Sequence, residues 1–349
     1  MNRTGITPHH DGTDMAEYGK GETNRIGLKI VYFGTGEFGL PTLQTLILNR
    51  APVRLVVTAP DRPAGRGLKI RHSPIKDLAV DADIPTLQPG DVNDPYTVRH
   101  IAEYGADVGL IIAYGQKIGG DLIRVFSKGI INLHASLLPA YRGAAPINWA
   151  IIRGERCTGV TAMQINEQID AGQILGQTEL AIGPVERADE LHDRLAQTGP
   201  KLILKVFRQI ENATATPKPQ DASKVSKAPK LKKHSGRIDW QAPADEIAHR
   251  IRGLWPWPTA KAMYCPQQGK PIEVAFARAE AVGGGQAGES PGTILPDLTV
   301  QCGSGRLAVM EIRPAGGKLM NWDAFVNGRH VQPGDRFESV ETSESVDVP

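Results

Sequence analysis

Leu28-Lys-Ile-Val-Tyr-Phe33 is a short, mostly apolar run that stops at Gly34 and is followed by a stretch in which Leu40, Leu43 and Ile47 recur at helical spacing. Val53-Arg-Leu-Val-Val57, Asp107-Val-Gly-Leu-Ile-Ile-Ala113 and Gly129-Ile-Ile-Asn-Leu-His134 repeat the pattern, each separated from the next by a segment of helical character. Runs this short and this continuously apolar are strands covered on both faces. Their alternation with helices predicts an α/β fold, a Rossmann-like domain built on a parallel sheet. Residues 158–182 read as two consecutive strands with a turn near Asp170-Ala-Gly172. Arg187 to Ile210 reads as a long amphipathic helix that closes this unit.

Outward from that block the composition changes twice. Between Pro217 and Arg237 seven basic residues (Lys218, Lys224, Lys227, Lys230, Lys232, Lys233 and Arg237) face one acid, Asp221, and Pro217, Pro219 and Pro229 punctuate the segment. This predicts an extended basic linker over 214–236. A helix over Asp245–Arg252 follows, then short strands near 259–264, 271–277, 292–295 and 306–312 with Gly and Pro between them, the pattern of a small β-barrel, OB-like in type. The expected division is therefore a disordered leader over 1–26, an α/β domain over 27–213, the linker, a C-terminal barrel domain over 237–340 and an acidic tail over 341–349.

The chain has 349 residues, enough for about two domains. Its formal net charge of +2 excludes a polyanion-binding surface spread over the whole molecule, so any nucleic-acid site is a local patch. Three widely spaced cysteines, Cys157, Cys265 and Cys302, argue against a disulfide framework and for a reducing, cytoplasmic compartment. No apolar run approaches the ~20 residues that span a bilayer, so no membrane partner is expected. No HExxH or Cys/His cluster is present, and no metal is expected.

Gly34-Thr-Gly36-Glu-Phe-Gly39 matches G-x-G-x-x-G after a strand and before a helix, and Asp61 lies near the distance of a ribose-binding acid. Asp61, however, sits in a Pro/Gly/Arg-rich loop and not at a strand end. The competing reading is a tight turn with glycines for close packing. Asn132 and His134, at i and i+2 of the strand that ends at His134, point to the same side of a sheet. In an open α/β sheet ligands occupy the crevice beyond the carboxyl ends of the strands. An amide and an imidazole side by side there suit a carbonyl whose oxygen becomes negative during attack, although both could merely cap the strand.

Asn132-Leu-His-Ala-Ser-Leu-Leu-Pro139 and Tyr141-Arg-Gly-Ala-Ala-Pro146 resemble the active-site segment of the folate-dependent formyltransferases. Thr158-Gly-Val-Thr161 and Ile169-Asp-Ala-Gly172 resemble two further segments of that family, and the resemblance covers about residues 27–340. It implies that Asp170 completes a catalytic set with Asn132 and His134, and that Ser136, Leu137, Leu138 and Pro139 cradle the folate. Thr58-Ala-Pro-Asp61-Arg62-Pro-Ala-Gly65-Arg66-Gly67 resembles the inserted loop of the branch that acts on methionyl initiator tRNA. Arg62, Arg66, Lys69, Arg71 and Lys76 against Asp61 make this loop strongly basic, which suits phosphate contacts and stacking on unpaired bases. The resemblance thus implies Arg62, Arg66, Lys69 and Arg71 as tRNA contacts. The implied reaction is formyl transfer from 10-formyltetrahydrofolate to the α-amino group of that tRNA, for translation initiation, by a monomer.

Gly236-Arg-Ile-Asp-Trp240 and Trp255-Pro-Trp-Pro258 resemble the family's C-terminal domain, and Trp240, Trp255 and Trp257 are expected as core and turn anchors. Ala135 stands where the family commonly has glycine, and Gln116-Lys-Ile-Gly-Gly120 departs from the usual apolar continuation after Ala-Tyr-Gly. The nearest alternative is a nucleotide-sugar formyltransferase, against which the basic loop argues. A formate-releasing hydrolase, a non-catalytic RNA-binding relic and a nicotinamide dehydrogenase are more distant competitors.

Overall fold

The computed structural model describes residues 25–64, 69–284 and 289–340, with side chains throughout except at 63, 64 and 69–71. In chain order the first unit contains β1 (Ile30–Gly34), α1 (Leu40–Leu48), β2 (Val53–Val57), β3 (Arg62–Ala64), β4 (Lys69–Arg71), α2 (Pro74–Asp81), β5 (Thr86–Leu87) and α3 (Pro95–Glu103). It continues with β6 (Val108–Ile112), α4 (Gly120–Arg124), β7 (Ile130–His134), β8 (Arg142–Gly143), α5 (Pro146–Ile152), β9 (Cys157–Gln164), β10 (Ile174–Ala181) and α6 (Ala188–Glu211). Seven strands form one sheet in the order β10-β9-β7-β6-β1-β2-β5. β5, β2, β1, β6 and β7 pair in parallel, and β9 and β10 add an antiparallel edge.

Alternation along each strand divides the core into two layers. Ile30, Tyr32, Val56, Leu110, Ile112, Ile131 and Leu133 pack under α1 and α6, while Val31, Phe33, Leu55, Val57, Ile111 and Ile130 pack under α3 and α4. Both faces are covered, so the strands read as continuous apolar runs. α6 presses closely on β7: a β-carbon at Gly199 would stand 2.5 Å from a Leu133 methyl, so glycine is what lets the helix sit beside the strand that carries Asn132 and His134. Ile26 is fully buried in this core, and the Glu211 carboxylate at the end of α6 accepts the backbone N–H groups of Gly27 and Leu28. Residue 26 is therefore part of the domain and not of a leader, and residues 1–24 lie outside the described residues.

The segment expected as a free linker is stitched to the first unit. Lys218 and Ile174 exchange backbone hydrogen bonds of 2.8 Å in both directions, and β11 (Lys227–Ala228) pairs in parallel with β8. Then follow α7 (Ala244–Gly253), β12 (Ala260–Cys265), β13 (Ile272–Val282), β14 (Val300–Gln301), β15 (Arg306–Pro314), β16 (Met320–Asn321), α8 (Trp322–Arg329) and β17 (Arg336–Ser339). The second sheet runs β14-β15-β13-β12-β17, with β16 on β15. The strand expected near 292–295 is an irregular extended segment. It bonds on one side to Thr299 and Gln301 and on the other to residues 334–337, bridging the two edge strands of the curled sheet. Trp240 and Trp255 are buried as expected, but Trp257 is 55% exposed on the turn after α7. Among the described residues no helix is long and apolar enough to cross a membrane.

Candidate active site

β1 has β2 on one side and β6 on the other, so the strand order reverses there, and the cleft beyond the carboxyl ends at such a point is where open α/β sheets take ligands. A cavity of about 550 Å³ occupies that place, lined by the ends of β6 and β7 (Ile111, Ala113, Asn132, His134), by Asp170 and by the start of α5. The glycines of the first turn serve packing. β-carbons at Gly34 and Gly39 would stand 2.5 and 2.2 Å from the Tyr32 side chain, whose hydroxyl donates to the Gly39 carbonyl at 2.9 Å. Asp61 is occupied by Lys76 and, at 2.8 Å, by the Gln88 amide. These two bonds hold its carboxyl below the usual range, so it is committed within the protein and not presented to a ribose.

Asn132, His134 and Asp170, three residues distant or alternating in sequence, face one cavity. Among the described residues the Asn132 amide has no hydrogen-bond partner, which leaves its N–H groups for a ligand. The His134 ring is 7% exposed; one nitrogen, Nε2, lies 3.0 Å from the Tyr141 carbonyl. A carbonyl only accepts, so Nε2 carries a proton and donates it. Nδ1, the other nitrogen, lies 3.8 Å from the Asp170 carboxylate, longer than a hydrogen bond. The second Asp170 oxygen accepts the Gly143 N–H at 2.9 Å.

The lining of this cavity includes none of Ser136, Leu137, Leu138 and Pro139, the four residues expected to cradle the folate. The Ser136 hydroxyl donates to the Ala140 carbonyl at 2.7 Å. The Thr161 hydroxyl donates to the Ser136 carbonyl at 2.6 Å and accepts the Leu138 N–H at 3.1 Å. This run is an anchored loop, and the apolar lining of the cavity includes Ile111, Ala113, Tyr114, Gly115 and Ala135. Gln116, the departure noted after Ala-Tyr-Gly, accepts the Val92 N–H at 2.9 Å and so ties that wall to the neighbouring loop.

Residues 28–207 match the family described as Formyl transferase, and residues 230–330 match the Formyl transferase C-terminal domain. A methionyl-tRNA formyltransferase of Heliobacterium modesticaldum is 38% identical over 89% of this chain and 100% of its own length. That of Geobacter sulfurreducens is 40% identical over 89% of this chain and 97% of its own. The chain belongs to the methionyl-tRNA formyltransferase family. An N-formyltransferase from Helicobacter canadensis, solved with folinic acid and dTDP-3-aminofucose, superposes with a TM-score of 0.60 at 16% identity, covering 84% of this chain and 100% of that one. HypX from Aquifex aeolicus, solved with tetrahydrofolic acid, gives 0.55 at 17%, covering 92% and 50%. At such identities the likeness is one of fold.

In this member of the methionyl-tRNA formyltransferase family the described part of the basic loop is an antiparallel strand pair, in which β3 pairs with β4 and sets Arg62 opposite Arg71 and Ala64 opposite Lys69. Arg62 is exposed; Arg66 lies outside the described residues, as do the side chains of Lys69 and Arg71. Most of the cavity lining, including two rings in contact, was not assigned in the sequence reading. Phe38, inside the G-x-G-x-x-G, and His192, in the second turn of α6, meet edge to face at 5.3 Å on the cavity wall. A bulky apolar residue in a turn at the point of strand reversal was the available signal for Phe38. His192 lies in a helix whose burial pattern gave no cue.

Proposed function

We propose that this chain transfers the formyl group of 10-formyltetrahydrofolate to the α-amino group of methionyl initiator tRNA. The observation that carries the reading is the convergence of Asn132, His134 and Asp170 on one cavity, in a chain that aligns with methionyl-tRNA formyltransferases over nearly their whole length. A free α-amine has a pKa of ~7.7–8.0, so a useful fraction is neutral at physiological pH. Its nitrogen bonds to the formyl carbon, the bond from that carbon to N10 of the folate breaks, and the proton lost by the amine ends on N10. The Asn132 amide donates to the oxygen that turns negative on the way. With Nε2 committed to the Tyr141 carbonyl, Nδ1 is the edge of His134 that accepts and returns a proton, steadied by Asp170.

The donor's ring system rests against the Ile111–Gly115 wall, with the Ser136–Pro139 loop as its backing. Arg62, Arg66, Lys69 and Arg71 of the basic loop contact the tRNA, together with the lysines of the linker. The reading divides the chain into a catalytic domain over 26–213, the basic linker and a tRNA-binding C-terminal domain over 237–340. It describes a monomer working in the cytoplasm. Solved sugar formyltransferases share the fold at 16–20% identity and do not favour an amino-sugar acceptor. A formyl-transfer assay offering charged initiator tRNA, charged elongator methionine tRNA and a nucleotide amino sugar tests the proposal. Formylation of the initiator tRNA above both others is expected, and transfer to the sugar alone, or to none, refutes it.

A further inference from the structure

We infer that Gln220, in the linker, is a positioning residue for the Asp170 carboxylate. The inference rests on the reading of the site just given. Gln220 follows a proline in a segment of polar and basic residues, and nothing in its sequence context marks it. In the fold its side chain is half-buried and fully used. Its amide nitrogen donates to the carbonyls of Asp170 at 2.9 Å and Gly172 at 2.8 Å. Its oxygen accepts from Arg142 Nε at 3.0 Å and from the terminal Nη2 at 2.7 Å. Two N–H donors and two lone pairs are what a primary amide has to give.

These bonds join the two segments that decide where the carboxylate points. Asp170 has φ +51°, a left-handed conformation that a β-carbon disfavours, so its loop is held in place by partners. One hold is the Gly143 N–H on the carboxylate; the other is Gln220 on the carbonyls of residues 170 and 172. Gly143 is itself fixed by the linker, because β8 pairs with β11 and the Ser226 carbonyl accepts the Arg142 N–H at 2.9 Å. Gln220 thus closes a ring that runs from Arg142–Gly143 through the carboxylate to Asp170–Gly172 and back through the linker. Without it the loop is free to rotate the carboxylate away from the 3.8 Å approach to His134. A displacement of that order at a reacting group costs up to about a hundredfold in rate.

Gln220→Glu keeps an acceptor for Arg142 and removes both donors to the loop carbonyls, whereas Gln220→Leu removes everything. Expected for both is a fall in kcat for formyl transfer of about ten- to a hundredfold, with KM for folate and for tRNA within about threefold. In an Asp170→Asn background the same substitutions are expected to lower single-turnover rates by less than about twofold, because residues acting through one group are not additive. Unchanged kcat in folded Gln220→Glu, or a full-sized further loss in the Asp170→Asn background, overturns the inference while leaving the functional reading intact. Absence of transfer by the unsubstituted chain sinks both.

Discussion

Replacing Asn132 by alanine separates catalysis from folding more cleanly than any other single change in the cavity. The side chain sits in the middle of β7, half-buried, and its amide makes no hydrogen bond within the described residues. Truncation therefore orphans no partner and empties no part of the core, so the cost in stability should stay near ~0.5 kcal/mol, the range of substitutions away from packed or bonded positions. In the reaction the amide is asked to donate to an oxygen that acquires charge. Removal of one such donor costs about 3–4 kcal/mol, or two to three decades in kcat. Because the bond strengthens only as charge develops, kcat and kcat/KM should fall together and KM should hardly move. Single-turnover formylation of methionyl initiator tRNA, with folate binding and thermal unfolding measured on the same preparation, reads all three quantities. A rate within about threefold of wild type, in a protein that unfolds normally, would refute the donor role. A loss of folate affinity matching the loss of rate would show that Asn132 binds the ground state instead.

Two further expectations concern the frame around the site. Arg278 on β13 donates to Glu190, to Glu311 at 2.9 Å and to the Val185 carbonyl at 2.7 Å, and Glu311 also takes Arg187 at 2.6 Å, so one cluster spans both units. Arg278→Ala leaves two partly buried carboxylates short of a partner and should cost about 2–3 kcal/mol, below the 3–5 of a fully buried pair; thermal or urea unfolding indistinguishable from wild type would contradict this. His249 on α7 is held below its ordinary pKa by burial and then by Arg252, against Asp245 and Glu246. The unfolded chain therefore binds a proton that the folded one refuses. This stability is complete above the unfolded value of about 6.5 and is lost as pH falls through the depressed folded one. His249→Gln should flatten the decline in melting temperature below about pH 6.5, and parallel curves for the two proteins would exclude the contribution.

The apolar runs at Ile30, Val53, Val108 and Ile130 were legible because both faces of a parallel sheet are covered, so they are broken only by Arg54 and by the two site residues Asn132 and His134. Asn132 and His134 were legible together because a strand has period two. What could not be read was whatever depends on which loop meets which. Ser136 to Pro139 stand next to the site in sequence, but nothing there shows that Thr161 and Gln177, from β9 and β10, anchor the carbonyls of Ser136 and Leu138. Gln220 is separated from Asp170 by fifty residues, and no periodicity connects them. Residues 292–295 were expected as a regular strand on their turn residues and apolar content. They bridge β14 and β17 through isolated pairs, Ile294 with Val300 and Thr293 with Arg336, and do not build a continuous ladder with either. Trp257 shows the opposite failure, since an aromatic beside two prolines reads as an anchor but lies exposed.

The clamp of Glu211 on the amides of Gly27 and Leu28 fixes where the polypeptide enters the sheet. β1 then runs from Ile30 toward the cleft, which places residue 25 at the opposite pole from the cavity. A surface that captured the molecule at residue 25 itself would hold it by its back, with the mouth of the site facing outward.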